Sequence, residues 1–201
     1  EDLPNFEKLL GDGSKIGMKF NYIVQPKPEG LAQAFILGEN FIGDDNVCLI
    51  LGDNVFYVNE LNTLMKSAMS RLEHNATIFG YYVNDPERYG VATFDTNGNV
   101  TNIDEKPENP ESNYAIVGLY FYPNDVIKKA KELKPSARGE LEITAINQLY
   151  LDEKRLNVEL LHKNSTWLDT GTHSSLLEAS QFIKTNEKRT GIKIACIEEI
   201  A

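Results

Sequence analysis

Between Asn46 and Gly52 the chain runs Val47-Cys48-Leu49-Ile50-Leu51, apolar on both alternating faces, and then stops on Gly52-Asp53-Asn54. A strand that is apolar on both faces needs cover on both, which suits the centre of a parallel sheet with helices above and below. In open α/β sheets the carboxyl ends of such strands border the ligand crevice. Gly52 lets the backbone turn there, and Asp53 then offers a hard anionic oxygen to the crevice. The same three residues also suit an ordinary turn in which Asp53 bonds its own backbone.

The rest of the chain is compatible with that architecture. Lys19–Gln25 alternates as a strand, Pro26-Lys27-Pro28-Glu29-Gly30 breaks it, and Leu31–Phe41 has helical spacing. A helix is expected at about Leu61–Leu72, a strand at Ala76–Tyr82, and a hairpin from Val91–Phe94 and Val100–Ile103 around Asp95-Thr96-Asn97-Gly98. Tyr114–Phe121 and Val158–Leu161 read as strands, and Phe6–Leu10, Asp125–Leu133 and Leu141–Leu151 as helices. A last helix runs from about Ser174 to Asn186, with Thr172, Ser174 and Ser175 as candidate caps and Ser175 and Glu178 as a capping box. Alternating strands and helices with one hairpin predict a single α/β domain over 1–201: a Rossmann-like, mostly parallel (mixed) sheet flanked by helices.

Composition narrows the function. Thirty acidic residues against twenty basic give a formal charge of −10, which repels a phosphate backbone and argues against a nucleic-acid partner. No apolar run reaches the length of a membrane span, and Glu1-Asp2-Leu3-Pro4 has none of the features of a signal peptide. A cytoplasmic protein is expected, with Cys48 and Cys196 as reduced thiols. A second acidic element, Trp167-Leu168-Asp169-Thr170-Gly171-Thr172, places a carboxylate among small residues just before a helix. By itself it reads equally as a helix cap. Asp53 and Asp169 together read as a pair that could share one Mg²⁺, with phosphates supplying the other ligands.

The segments Gln25–Phe35, Leu51–Asn54, Asp85-Pro86-Glu87-Arg88-Tyr89-Gly90, Glu105-Lys106-Pro107, Ser112–Ala115, Gly118–Tyr122, Arg138–Thr144 and Trp167–His173 follow one another in a recognisable order. In that order the chain resembles the glucose-1-phosphate thymidylyltransferases of the dTDP-rhamnose pathway, within the sugar-1-phosphate nucleotidyltransferases. The resemblance runs from Glu1 to Ala201 and implies a fold of the nucleotide-diphospho-sugar transferase type. It implies transfer of a thymidylyl group from dTTP to glucose-1-phosphate, with Mg²⁺ as cofactor and a homotetrameric assembly. Carried over, Asp53 and Asp169 look like the metal ligands, and Lys106 and Arg138 like the cations holding the sugar phosphate. Gln25 and Gly30 look like the base-reading pair. Glu105 looks like the sugar-hydroxyl acceptor, with Leu51, Tyr89, Gly90, Ile116 and Trp167 lining the same pocket. Tyr114, Tyr120 and Phe121 read as core.

The chain departs from the family at its ends and in two smaller places. Family members begin with a strand and a glycine-rich loop that wraps the triphosphate. No such segment stands in this sequence, so a chain truncated at the N-terminus, inactive by itself, is expected. Glu198-Glu199-Ile200-Ala201 suggests the same at the other end. Val58 stands where the family often has glycine, which removes the basis for expecting feedback control by dTDP-rhamnose. Val117 replaces a small hydroxyl residue and is expected to alter the sugar pocket slightly. The alternatives are a UTP- or CTP-dependent sugar nucleotidyltransferase, or a non-catalytic nucleotide-sugar-binding relative.

Overall fold

The computed structural model describes residues 2–196; the expectation resting on Glu198–Ala201 lies outside the described residues. The chain starts with helix α1 (Leu3–Leu10) and a short 3₁₀ turn, Ser14–Ile16. Helices α2 (Gln33–Leu37) and α3 (Glu39–Ile42) follow, then strands β1 (Val47–Ile50) and β2 (Asn54–Tyr57). Helix α4 (Leu61–Ser70) leads to β3 (Ala76–Tyr82), the 3₁₀ turn Pro86–Arg88, β4 (Gly90–Phe94), β5 (Val100–Glu105) and β6 (Tyr114–Tyr122). Helices α5 (Val126–Glu132) and α6 (Ile143–Asp152), strands β7 (Leu156–Leu160) and β8 (Thr166–Asp169), and helix α7 (His173–Thr190) complete the order.

Strand β6 organises the molecule. In the larger sheet the order is β5-β4-β6-β3-β7, and β1 also pairs with β6. Its side chains alternate between two core layers. Ile116, Tyr120 and Tyr122 face Phe35 of α2, Val126 of α5, and Ile146 and Tyr150 of α6. Ala115, Val117, Leu119 and Phe121 face Phe79, Trp167, and Ala68 of α4. The helices commit to these layers by spacing: Ile143, Ile146, Asn147 and Tyr150 recur at i, i+3, i+4 and i+7 and are all buried.

The helix-flanked mixed sheet is as expected, but its strand directions are not. Among the described residues only β3 and β7 pair in parallel; β1–β6, β3–β6, β4–β5 and β4–β6 are antiparallel. The double-apolar run Val47–Leu51 is not the centre of the sheet either. β1 pairs with β6 alone among the described residues, and both Cys48 and Ile50 are exposed. β6, buried along almost its whole length, takes the central place.

Lys19–Gln25 forms no strand. Ile23 and Val24 are exposed there, and among the described residues no strand pairs with this segment. Alternation proposes a strand, but a ladder partner is needed to satisfy its backbone. The hairpin is as expected: Asp95 Oδ1 accepts from the N–H groups of Asn97 and Asn99, both at 2.8 Å. Leu31–Phe41 is helical but divides at Gly38 into α2 and α3. The cap of α7 is Thr172, whose side chain accepts from Ser175 N–H at 3.1 Å and whose own N–H donates to the Ser175 hydroxyl at 3.1 Å, so the capping box lies three residues upstream of the expected one. Among the described residues no helix is long and apolar enough to cross a membrane.

Candidate active site

The short antiparallel ribbon β2–β8 is what brings the two acidic elements together. Its register sets Asn54 opposite Asp169 and Phe56 opposite Trp167. The loop before β2 is tied to the loop after β8 as well, because the Asp53 carbonyl accepts from both the N–H and the hydroxyl of Thr170 at 2.8 Å. Gly171 then leaves open the space between the acids. A methyl group added there would lie 3.0 Å from Asp169 Oδ1 and 3.5 Å from Asp53 Oδ2, so both carboxylates border one small volume. Asp169 does not cap α7. It accepts from Gly171 N–H at 2.9 Å and leaves the capping to Thr172.

These carboxylates open on a cleft of about 530 Å³. Leu51, Tyr89, Gly90, Glu105, Lys106, Ile116 and Trp167 all line it, so the structure gathers most of the expected site residues in one place. Gly90 pairs with Glu105 across β4–β5, and a side chain at position 90 would collide with Thr144 at 2.8 Å. The missing side chain keeps the floor of the cleft clear beside the Glu105 carboxylate. Burial, reinforced by the nearby Glu142, raises the pKa of Glu105 above its usual value, while Arg138 and Lys106 oppose the rise. Lys106 follows directly with φ of 44°, in the left-handed region that non-glycine residues seldom occupy. Its N–H donates to the Tyr89 carbonyl at 3.0 Å, joining the end of β5 to the start of β4.

Three expected residues sit elsewhere. Arg138 is beside the cleft rather than among its lining residues. It donates to Glu140 at 2.9 Å and to Glu142 at 3.2 Å, and its guanidinium lies 3.6 Å from Glu105. Gln25 and Gly30 line a second, more apolar groove of about 530 Å³ against α2, α3 and β1. Leu31 lines both spaces, so the two adjoin. Gly30 has φ of +103°, and a Cβ there would lie 2.4 Å from the Leu141 carbonyl oxygen; only glycine fits.

The structure also adds residues that the sequence left without a role. Tyr120, read as core, is buried yet lines the cleft. Its hydroxyl is held strongly protonated by burial, with Glu105 and Asp53 adding to the effect. Arg88 pairs with Asp85 at 2.7 Å and with Asp169 at 3.5 Å, and stacks over Tyr89 at 5.1 Å. Its place between Asp85 and the cleft residues Tyr89 and Gly90 was the available signal. Val117 does not reach the cleft; it faces the opposite core layer.

The Nucleotidyl transferase family matches residues 1–186. A glucose-1-phosphate thymidylyltransferase of Neisseria gonorrhoeae is 53% identical over 201 residues, covering 100% of this chain and 69% of the relative. One from Mycobacterium tuberculosis is 50% identical over 200 residues, with 100% and 69% covered. Among solved structures, a Bacillus anthracis protein described as a glucose-1-phosphate thymidylyltransferase, in complex with sucrose, superposes with a TM-score of 0.80 at 40% identity, covering 90% of this chain and 71% of that one. A UDP-glucose pyrophosphorylase bound to UDP-glucose shares the fold, with a TM-score of 0.75 at 24% identity and 91% and 73% covered. The chain belongs to the nucleotidyl transferase family, a family of enzymes, and is similar over its whole length to members named glucose-1-phosphate thymidylyltransferase.

Proposed function

We propose that the cleft takes glucose-1-phosphate and serves thymidylyl transfer from dTTP, giving dTDP-glucose and pyrophosphate. The observation that carries this reading is the convergence of Asp53 and Asp169 on the space left by Gly171, with Glu105 and Lys106 on the same cleft. In the reaction an oxygen of the sugar phosphate attacks the α-phosphorus of the nucleotide, and the bond to the departing pyrophosphate breaks. Such a transfer is driven by positioning and charge neutralisation, with little need for a strong general base.

Glu105 is placed to accept from sugar hydroxyls. A sugar lacking one of them would leave a partly buried carboxylate underpaired. Lys106 supplies a positive charge beside it, and Trp167 and Tyr89, in edge-to-face contact at 5.1 Å, form an apolar wall for the ring. Arg138 orders the Glu105 carboxylate from behind and joins the phosphate site by exchanging one of its carboxylate partners. Gln25, in the adjoining groove, offers an amide to a thymine edge.

Asp53 and Asp169 fit a Mg²⁺ ion that takes its other ligands from phosphate oxygens. Among the described residues no group of three or more His, Cys, Asp or Glu gathers as a self-sufficient site. Bound there, the ion would neutralise charge on the reacting phosphates. Asp53 is held for this role through its own carbonyl and its neighbour Asn54, and Asp169 through Gly171 and Arg88.

The test is formation of dTDP-glucose from dTTP, glucose-1-phosphate and Mg²⁺, by this chain and by a version that also carries the glycine-rich loop of the family, with the full-length Neisseria gonorrhoeae relative as positive control and UTP and CTP as competitors. Product formation that prefers dTTP and is abolished by Asp53→Asn supports the reading. Preference for UTP or CTP would move the chain to another branch of the family. Saturable binding of dTDP-glucose without turnover by either version would favour a nucleotide-sugar-binding protein.

A further inference from the structure

Strand β1 pairs with β6 up to Ile50 and Leu119, and Leu51 N–H adds one more bond, to the Gly118 carbonyl at 2.9 Å. There the strand ends, and the next donor of β6, the N–H of Gly118, has no backbone partner opposite it. The side chain of Asn54 takes that position: its Oδ1 accepts from Gly118 N–H at 2.9 Å. The same oxygen accepts from the indole Nε1–H of Trp167 at 2.7 Å. Both partners can only donate, so the amide cannot be turned over, and its Nδ2 must face the other way. It donates to Asp53 Oδ1 at 2.8 Å. The fit leaves no slack, since a Cβ on Gly118 would lie 2.7 Å from the Asn54 oxygen.

We propose that Asn54 is a positioning residue, one amide that fixes the Asp53 carboxylate and the Trp167 wall as a single unit. This rests on reading the cleft as the sugar-phosphate site. Either contact alone would be an ordinary satisfied polar group. Together they join the acid that would hold a divalent cation to the wall that would hold the sugar ring, through an amide anchored on the central strand. Occupying Asp53 Oδ1 leaves Oδ2 as the oxygen bordering the space at Gly171. Asn54 therefore selects which carboxylate oxygen is offered to the cation.

Trp167 is the only tryptophan of the sequence, so its emission reports directly on one of these contacts. The experiment compares this chain with its Asn54→Asp and Asn54→Ala variants. It records the shielding of Trp167 emission from an added quencher, and the affinity for glucose-1-phosphate with and without Mg²⁺, read from that emission. Asp at position 54 keeps an acceptor for Trp167 and Gly118 but sets an oxygen against Asp53 in place of an N–H. Asn54→Asp keeps the acceptor that tethers Trp167 and is expected to leave its emission as shielded from an added quencher as in the unsubstituted chain, while reducing the Mg²⁺-dependent gain in affinity by about 10-fold or more, the worth of a hydrogen bond to a charged group. Asn54→Ala is expected to open the emission to the quencher and lose the gain as well.

A purely structural Asn54 would not separate the two readouts. An Asn54→Asp variant with the wild-type Mg²⁺ gain, or an Asn54→Ala variant with emission as shielded as in the unsubstituted chain, would overturn the proposal. If Asn54→Ala fails to fold, Asn54→Asp alone decides it. If the unsubstituted chain shows no response to glucose-1-phosphate, the reading of the cleft fails, and with it the role proposed for Asn54.

Discussion

The two adjoining spaces of the molecule are built in opposite ways. In the acidic cleft, residues distant in sequence hold one another: Asp53 to Thr170, Asn54 to Trp167, Lys106 to Tyr89 and Arg138 to Glu105. In the groove beside α2, the side-chain hydrogen bonds of Gln25 and Gln33 are local and exposed. Gln25 donates to Gln33 at 2.6 Å, and Gln33 donates to Glu29 at 2.6 Å, all within a few residues of the break at Pro26–Gly30. The apolar side chains Ile23, Leu31 and Phe41 stay exposed around them. The cleft is thus preorganised for charge, as phosphoryl chemistry requires.

Substitutions should expose that contrast, with the largest losses in the cleft. In a version that also carries the glycine-rich loop of the family, Asp53→Asn and Asp169→Asn are expected to lower dTDP-glucose formation by about 100-fold or more with unchanged thermal unfolding, as steady-state rates and melting curves would show. Next comes Glu105→Gln, expected to weaken glucose-1-phosphate binding by about 10- to 100-fold in a calorimetric titration. The same change has a signed effect on stability. Because the folded pKa of Glu105 is raised above 4.5, its contribution is fully favourable below that value and is lost as pH rises through the shifted pKa. Glu105→Gln should therefore gain stability relative to the unsubstituted chain at neutral pH, and the gain should vanish in acid.

Lys106→Gly divides function from stability more sharply. Relief of the left-handed backbone should leave the fold neutral or up to about 1 kcal/mol more stable in urea unfolding, while affinity for the sugar phosphate falls. In the groove, Gly30→Ala combines an unfavourable φ with a backbone clash and should cost about 1–3 kcal/mol by the same measurement. Gln25→Ala should change stability least, by under about 0.5 kcal/mol, and alter only the preference for dTTP over CTP, because thymine and uracil offer an amide the same hydrogen-bonding edge.

The sequence made individual elements legible more readily than their arrangement. Periodicity located α4, α6 and the β4–β5 hairpin to within a few residues because their side-chain spacing and turn chemistry are local signals. It misjudged β1 because a short run apolar on both faces is the same whether a strand is central or paired on one side. Lys19–Gln25 failed for a related reason, since alternation says nothing about whether a partner strand is in reach. Glu105, Tyr89 and Trp167 could be gathered from the family resemblance alone. Asn54, Arg88 and Tyr120 could not, because their roles depend on the register of β2 with β8 and on which face of β6 meets the cleft. The ribbon itself is only two strands of four residues, too short for periodicity to announce.

The most direct test of the account follows the proton resonance of the single indole N–H, that of Trp167, while Mn²⁺ is added as a paramagnetic stand-in for Mg²⁺ in the presence of glucose-1-phosphate. The indole donates to Asn54, which itself bonds Asp53, so a cation held by Asp53 and Asp169 must lie close to it. The account predicts early broadening of that signal at low Mn²⁺, abolished by Asp53→Asn. A signal that stays sharp while resonances elsewhere broaden would contradict it.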